Sequence, residues 1–125
     1  MSVPDPPRFA FPALAARAAG GAIGGARESA MAVLLICRLA RDAQREPSLE
    51  LGLRAERAQH ARQWLGTLAL PLPVRAAAGR CAEATAIADP SALATALQQL
   101  ADVTGDTLGD DAVAEIRRLV TNITV

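Results

Sequence analysis

Apolar positions recur at helical intervals along most of this chain. The segment AMAVLLICRLA, residues 30–40, is apolar nearly all round a helix, which predicts a buried central helix over residues 27–45. Its end turns polar with Arg38, Arg41, Asp42, Arg45 and Glu46, and Pro47 stops it. Asp42 follows Arg38 at an ion-pair spacing, in the less favourable order. Ser48 can cap a second helix over residues 49–69, with Leu51, Ala58, Ala61, Leu65 and Leu68 on one stripe and Glu50 one turn before Arg54. A third, over residues 74–88, puts Val74, Ala78, Cys81, Thr85 and Ala88 on one face. Asp89-Pro90 reads as a capping acid and a first-turn proline. The helix it opens carries Leu93, Leu97, Leu100 and Val103 and is predicted to close at Gly105. Asp110 or Asp111 then caps a last helix with Val113, Ile116, Val120 and Ile123. Residues 119–125 are rich in β-branched side chains, but a lone strand has no partner, so the helix reading is kept, frayed at its end.

The first quarter of the chain is different. Residues 1–12 hold four of the eight prolines and both phenylalanines, Phe9 and Phe11. That density predicts an extended arm, docked by its aromatics in cis or on another subunit. Residues 14–26 are Ala/Gly-rich; Gly20, Gly21, Gly24 and Gly25 each cost a helix about 1 kcal/mol relative to Ala. The expected architecture is all-α: a bundle of four to five helices over residues 13–125, after an extended proline-rich N-terminal arm over residues 1–12.

Composition sharpens this. The chain has 125 residues, 29 of them Ala, with one Trp and no Tyr. Alanine favours helices and lets their axes approach closely. All 13 cations are Arg, which fits codon bias better than anion recognition, because the bias runs through the whole chain. The net charge is zero, and single-strand stacking aromatics are lacking, so nucleic acid is not an expected partner. Cys37 and Cys81 sit among apolar residues and are expected to be reduced, buried fillers. With one His, no metal site is expected, and no cofactor. The N-terminus lacks the charge pattern of a signal peptide, so a cytoplasmic location is expected.

The segment GGAIGGARESAMAVLLICRLA, residues 20–40, raises three chemical readings. A P-loop needs a preceding strand and G-K-[ST], and there is no Lys. A membrane span needs about 20 uninterrupted apolar residues; Arg27 and Glu28 break the run. What remains is small-residue spacing, Gly20 with Gly24, suited to close backbone approach. Those glycines, with Phe9 and Phe11, are the candidate interface residues. His60, the only histidine, suggests a histidine-phosphotransfer module, but Gln63 and Trp64 stand where that family carries Lys and a small residue. The arginines at 38, 41 and 45 and at 54, 57 and 62 read as solvated helix faces.

The Gly-rich lead-in and small-residue helix of residues 24–39, the proline-started PLPVRAAAGRCAEA of residues 71–84 and GDTLGDDAVAE of residues 105–115 together resemble the formiminotetrahydrofolate cyclodeaminase/methenyltetrahydrofolate cyclohydrolase family. The resemblance covers about half the chain, which is shorter than that family and lacks a counterpart to its acidic mid-helix segment. It implies an all-helical, dimeric, folate-binding relative without the activity, with Arg27, Glu28, Ser29, Asp110 and Asp111 at the ligand.

Charge is also divided. Residues 1–80 carry 11 Arg against six acids, and residues 81–125 carry two Arg against seven acids. A two-fold dimer can set each basic half against the other copy's acidic half. The leading expectation is therefore a non-catalytic helical bundle acting by self-association or with a protein partner. The alternatives are a small folate-type binder or cyclohydrolase-like enzyme, and a phosphotransfer module using His60.

Overall fold

The computed structural model describes residues 11–20, 25–45, 51–87 and 89–124. These residues form six helices and no strand: α1 (Pro12–Ala19), α2 (Gly25–Arg45), α3 (Leu51–Leu65), α4 (Leu72–Ala86), α5 (Pro90–Leu108) and α6 (Asp110–Thr124). Most of the arm expected over residues 1–12 lies outside them.

The all-α class holds, with a higher helix count than expected. The Ala/Gly-rich lead-in contributes a helix of its own. Pro12 is the first residue of α1 rather than the end of an arm, because a first-turn proline lacks only an N–H that the helix does not use. α1 ends before Gly20, and α2 starts at Gly25.

α2 is the hub, packing against all five other helices. Ser29, Ala30, Val33, Ile36, Cys37 and Ala40 are fully buried along its inner side. Most of these side chains are small, as are Ala77, Ala78, Cys81 and Ala82 facing the core from α4. Small residues at the contact let many helices share one axis. α3 leans mainly on α4, and α6 on α5. Leu97, Leu100, Leu108, Ile116 and Leu119 fill the core beside α2.

Two boundaries correct the sequence reading. α5 does not close at Gly105 but runs on to Leu108. Burying Leu108 stabilises by about 2 kcal/mol, more than the roughly 1 kcal/mol that an internal glycine costs. Gly109 makes the turn instead, at φ +85°, a backbone conformation that suits glycine. Thr104, not Val103, faces the core; its hydroxyl donates to Leu100 O at 2.7 Å. α3 ends at Leu65, short of residue 69, and Thr67 Oγ1 donates to Trp64 O at 2.6 Å across the turn.

Candidate functional site

Three places bring polar chemistry together. The first is the junction of α1, α2 and α6. α1 starts at Phe11-Pro12 with no side-chain cap of its own. The cap comes from α6. The Glu115 carboxylate, almost fully buried, accepts from the backbone N–H of Ala13 at 2.7 Å and of Leu14 at 3.0 Å. These are orphan donors of the first turn, and a carboxylate there also meets the positive end of the helix dipole. One helix turn earlier on α6, Asp111 takes a 2.6 Å ion pair from Arg17 in the last turn of α1. The two contacts fix α1 antiparallel to α6. The Arg17 hydrogen bond, and then the Ala112 N–H, hold the Asp111 carboxyl below its ordinary value. Gly109 lies close by, where an added Cβ would sit 3.1 Å from Arg17. Phe11 is buried in its own chain, with the Arg41 guanidinium 5.8 Å above its ring.

The other expected site residues are dispersed around this junction. Arg27 is exposed, and its Nε donates to Ala18 O at 3.2 Å. Arg27 and Asp111 thus both tie to the end of α1. Glu28 faces the other way, accepting from the Ala69 N–H between α3 and α4. Ser29 is fully buried, and its hydroxyl has no partner among the described residues. Asp110 borders an open surface groove with Asp106, Arg117 and Arg118. Gly20 is exposed at the end of α1, where an added Cβ would meet only its own helix, 3.0 Å from Ala16 O. Phe9 and Gly24 lie outside the described residues.

The second place is a cleft at the far end of α2. Its volume is about 170 Å³, and its lining includes Gln44, Arg54, Thr85, Asp89, Leu93 and Ile123. Arg54 corrects the reading of α3 as a solvated basic face. It is buried, donating to Ala43 O at 3.3 Å. Asp89 caps α5 as expected, accepting from Ser91 N–H at 3.0 Å and Ala92 N–H at 3.3 Å.

The third place is the outer side of the bundle, along α2 and α3. Arg27, Met31, Leu34, Arg38 and Asp42 follow at helical steps along α2, with Leu35 beside them. Arg27 and Arg38 are exposed, and the rest half-buried. On α3, Leu53, His60 and Trp64 share an exposed stripe. Arg57, on that stripe, lines a crevice with Leu39 and Ala43, so the stripe borders α2. Arg62 pairs with Glu83 of α4 at 3.5 Å on the other flank.

Cys37 and Cys81 are free thiols in the core. Burial pushes both up, Cys81 to about 12, so neither is a nucleophile. No group of three His, Cys, Asp or Glu side chains suited to a metal ion occurs among the described residues. None of their helices is long and apolar enough to cross a membrane.

Two buried charged positions that tie elements together escaped the sequence reading, although both left a signal. Arg54 stands on the buried stripe continued by Ala58, Ala61 and Leu65. Glu115 stands between Ala112 and Leu119 on the buried stripe of α6. A charged residue on an apolar stripe marks a satisfied buried group.

No family model, curated protein or solved structure matches the chain.

Proposed function

We propose that this protein is a non-catalytic helical module that works by self-association, as a two-fold dimer. The observation that carries this reading is the outer side of the hub helix. Met31, Leu34 and Leu35 are half-buried, the two leucines resting on the core, and Leu53 and Trp64 of α3 are exposed. Apolar area shared across several side chains is what association surfaces offer. A core built largely of alanine buries little area per residue, so further burial between subunits adds where it is scarce. Arg27 near one end of this outer side and Asp42 near the other make it complementary to a second copy of itself.

Light scattering on the eluting full chain tests the reading. The expected mass is twice the 12.9 kDa of one chain. A single-chain mass, held up to hundreds of micromolar, overturns it.

A further inference from the structure

We infer that the outer face of α2 is the dimer interface, paired antiparallel with α2 of a second copy about an axis between Leu34 and Leu35. This rests on the self-association proposed above and adds its surface and register.

Both flanks of α2 are engaged within its own chain. One flank belongs to α1: Arg27 reaches Ala18 O, and Arg41 lies over Phe11. The opposite flank belongs to α3 and the turn after it: Glu28 holds the Ala69 N–H, and Leu39 lines a crevice with Arg57. Between the flanks runs a line of Met31, Arg38 and Asp42, bordered by Leu34 and Leu35, and that line faces outward. Arg27, Met31, Leu34, Arg38 and Asp42 are spaced by four, three, four and four residues, close to the seam of two packed helices.

The charges on this line choose the direction. A parallel two-fold pairing sets Arg27 against Arg27, Arg38 against Arg38 and Asp42 against Asp42. Antiparallel pairing about the Leu34–Leu35 midpoint sets Arg27 opposite Asp42 of the second copy, twice by symmetry. It sets Met31 opposite Arg38, whose methylene stem can cover it, and Leu34 opposite Leu35 at the centre. The face is thus self-complementary, with an apolar middle and opposite charges at its two ends, as an isologous contact requires. Glu28 and Arg41 also fall opposite each other, and although each is engaged in its own chain, they add attraction of the same sign. Arg27 has its terminal nitrogens free of hydrogen bonds among the described residues, and Asp42 shares its carboxylate only loosely with Arg41, at 3.5 Å.

The register is tested by charge reversal in the full chain, with dissociation constants from sedimentation equilibrium and circular dichroism to verify the helical content of each variant. Arg27→Asp and Asp42→Arg should each weaken the dimer about tenfold or more, because two attractive contacts become repulsive. The double variant should return to within about threefold of the unaltered protein. An equimolar mixture of the two single variants should do the same, because every cross-pair in that heterodimer is again of opposite charge. Within one chain the two positions are about 22 Å apart, at 1.5 Å per residue, so the recovery cannot arise inside a subunit. Single variants that dimerise normally, or a mixture that fails to recover, would overturn this interface while the dimer itself stands. An unaltered chain that remains a monomer fails at the earlier step, by its mass alone.

Discussion

The middle of α2 is apolar nearly all round, yet its two sides have opposite fates. The inner side, with Ser29, Ala30, Val33, Ile36, Cys37 and Ala40, is fully buried. The outer side, with Met31, Leu34, Leu35 and Arg38, is half covered or exposed. What separates them is mainly size, Ile36 being the one inner side chain as large as the outer leucines. Five helices can crowd round one axis only where the side chains between them are small, so larger apolar residues are displaced outward. An all-round apolar helix in a bundle of this size is therefore not buried all round. Its bulky side is left for something else to cover.

That contrast is sharpest at neighbouring residues. Ile36→Ala should cost roughly 2–5 kcal/mol, the range for a fully buried aliphatic side chain, while Leu35→Ala should cost about half as much or less in the monomer. Denaturant titration at a concentration below the dimer's dissociation constant measures both. Equal losses would mean that the two sides are equivalent and that the size argument fails.

Removal of the Glu115 carboxylate on α6 probes the only buried acid among the described residues. Glu115→Ala leaves two α1 amide hydrogens without their acceptor, at about 1–3 kcal/mol each when they stay dry. The expected net loss is about 2 kcal/mol, since α1 can fray and expose them to water. Amide exchange should show protection lost first at Ala13 and Leu14. Unchanged exchange at those amides would show that the carboxylate does not hold the helix start.

The buried thiols give the inner side a pH signature. Their folded-state values are raised above the ordinary 9.0 by burial. Above pH 9 the unfolded chain therefore loses thiol protons that the folded chain keeps. Stability is unaffected below pH 9 and falls by up to about 1.4 kcal/mol per thiol for each pH unit above it, until the folded thiol also titrates, at about 12 for Cys81. The pH dependence of unfolding between 9 and 10.5 should flatten in a Cys37→Ala, Cys81→Ala double variant. An equal slope in that variant would assign the alkaline loss to other groups.

Much of this inner side was legible in the sequence. The run of residues 30–40 predicted the hub, and the stripe of Val74, Ala78, Cys81 and Thr85 is buried as periodicity implied. Asp89-Pro90 marked a helix start correctly because its capping is local. Features that depend on distant partners were not legible. Gly105 looked like a terminus because nothing near it reveals that Leu108 is drawn into the core. Arg54 looked solvated because its acceptor, Ala43 O, belongs to another helix. Glu115 binds backbone more than 100 positions away. The suspected ligand residues Arg27, Glu28 and Ser29 are adjacent in sequence, but successive helical residues point about 100° apart. They therefore reach α1, the turn after α3 and the core, respectively.

The outer side is tested most directly at its centre. Met31 lies mid-face, half-buried and clear of the inner core, so a guanidinium there can stay hydrated in a monomer, whereas in the dimer it is set against Arg38 of the second copy, twice by symmetry. The decisive measurement is the sedimentation mass of Met31→Arg at a concentration where the unaltered chain is dimeric. The account predicts a single folded chain of 12.9 kDa. A dimer as tight as that of the unaltered protein would contradict it.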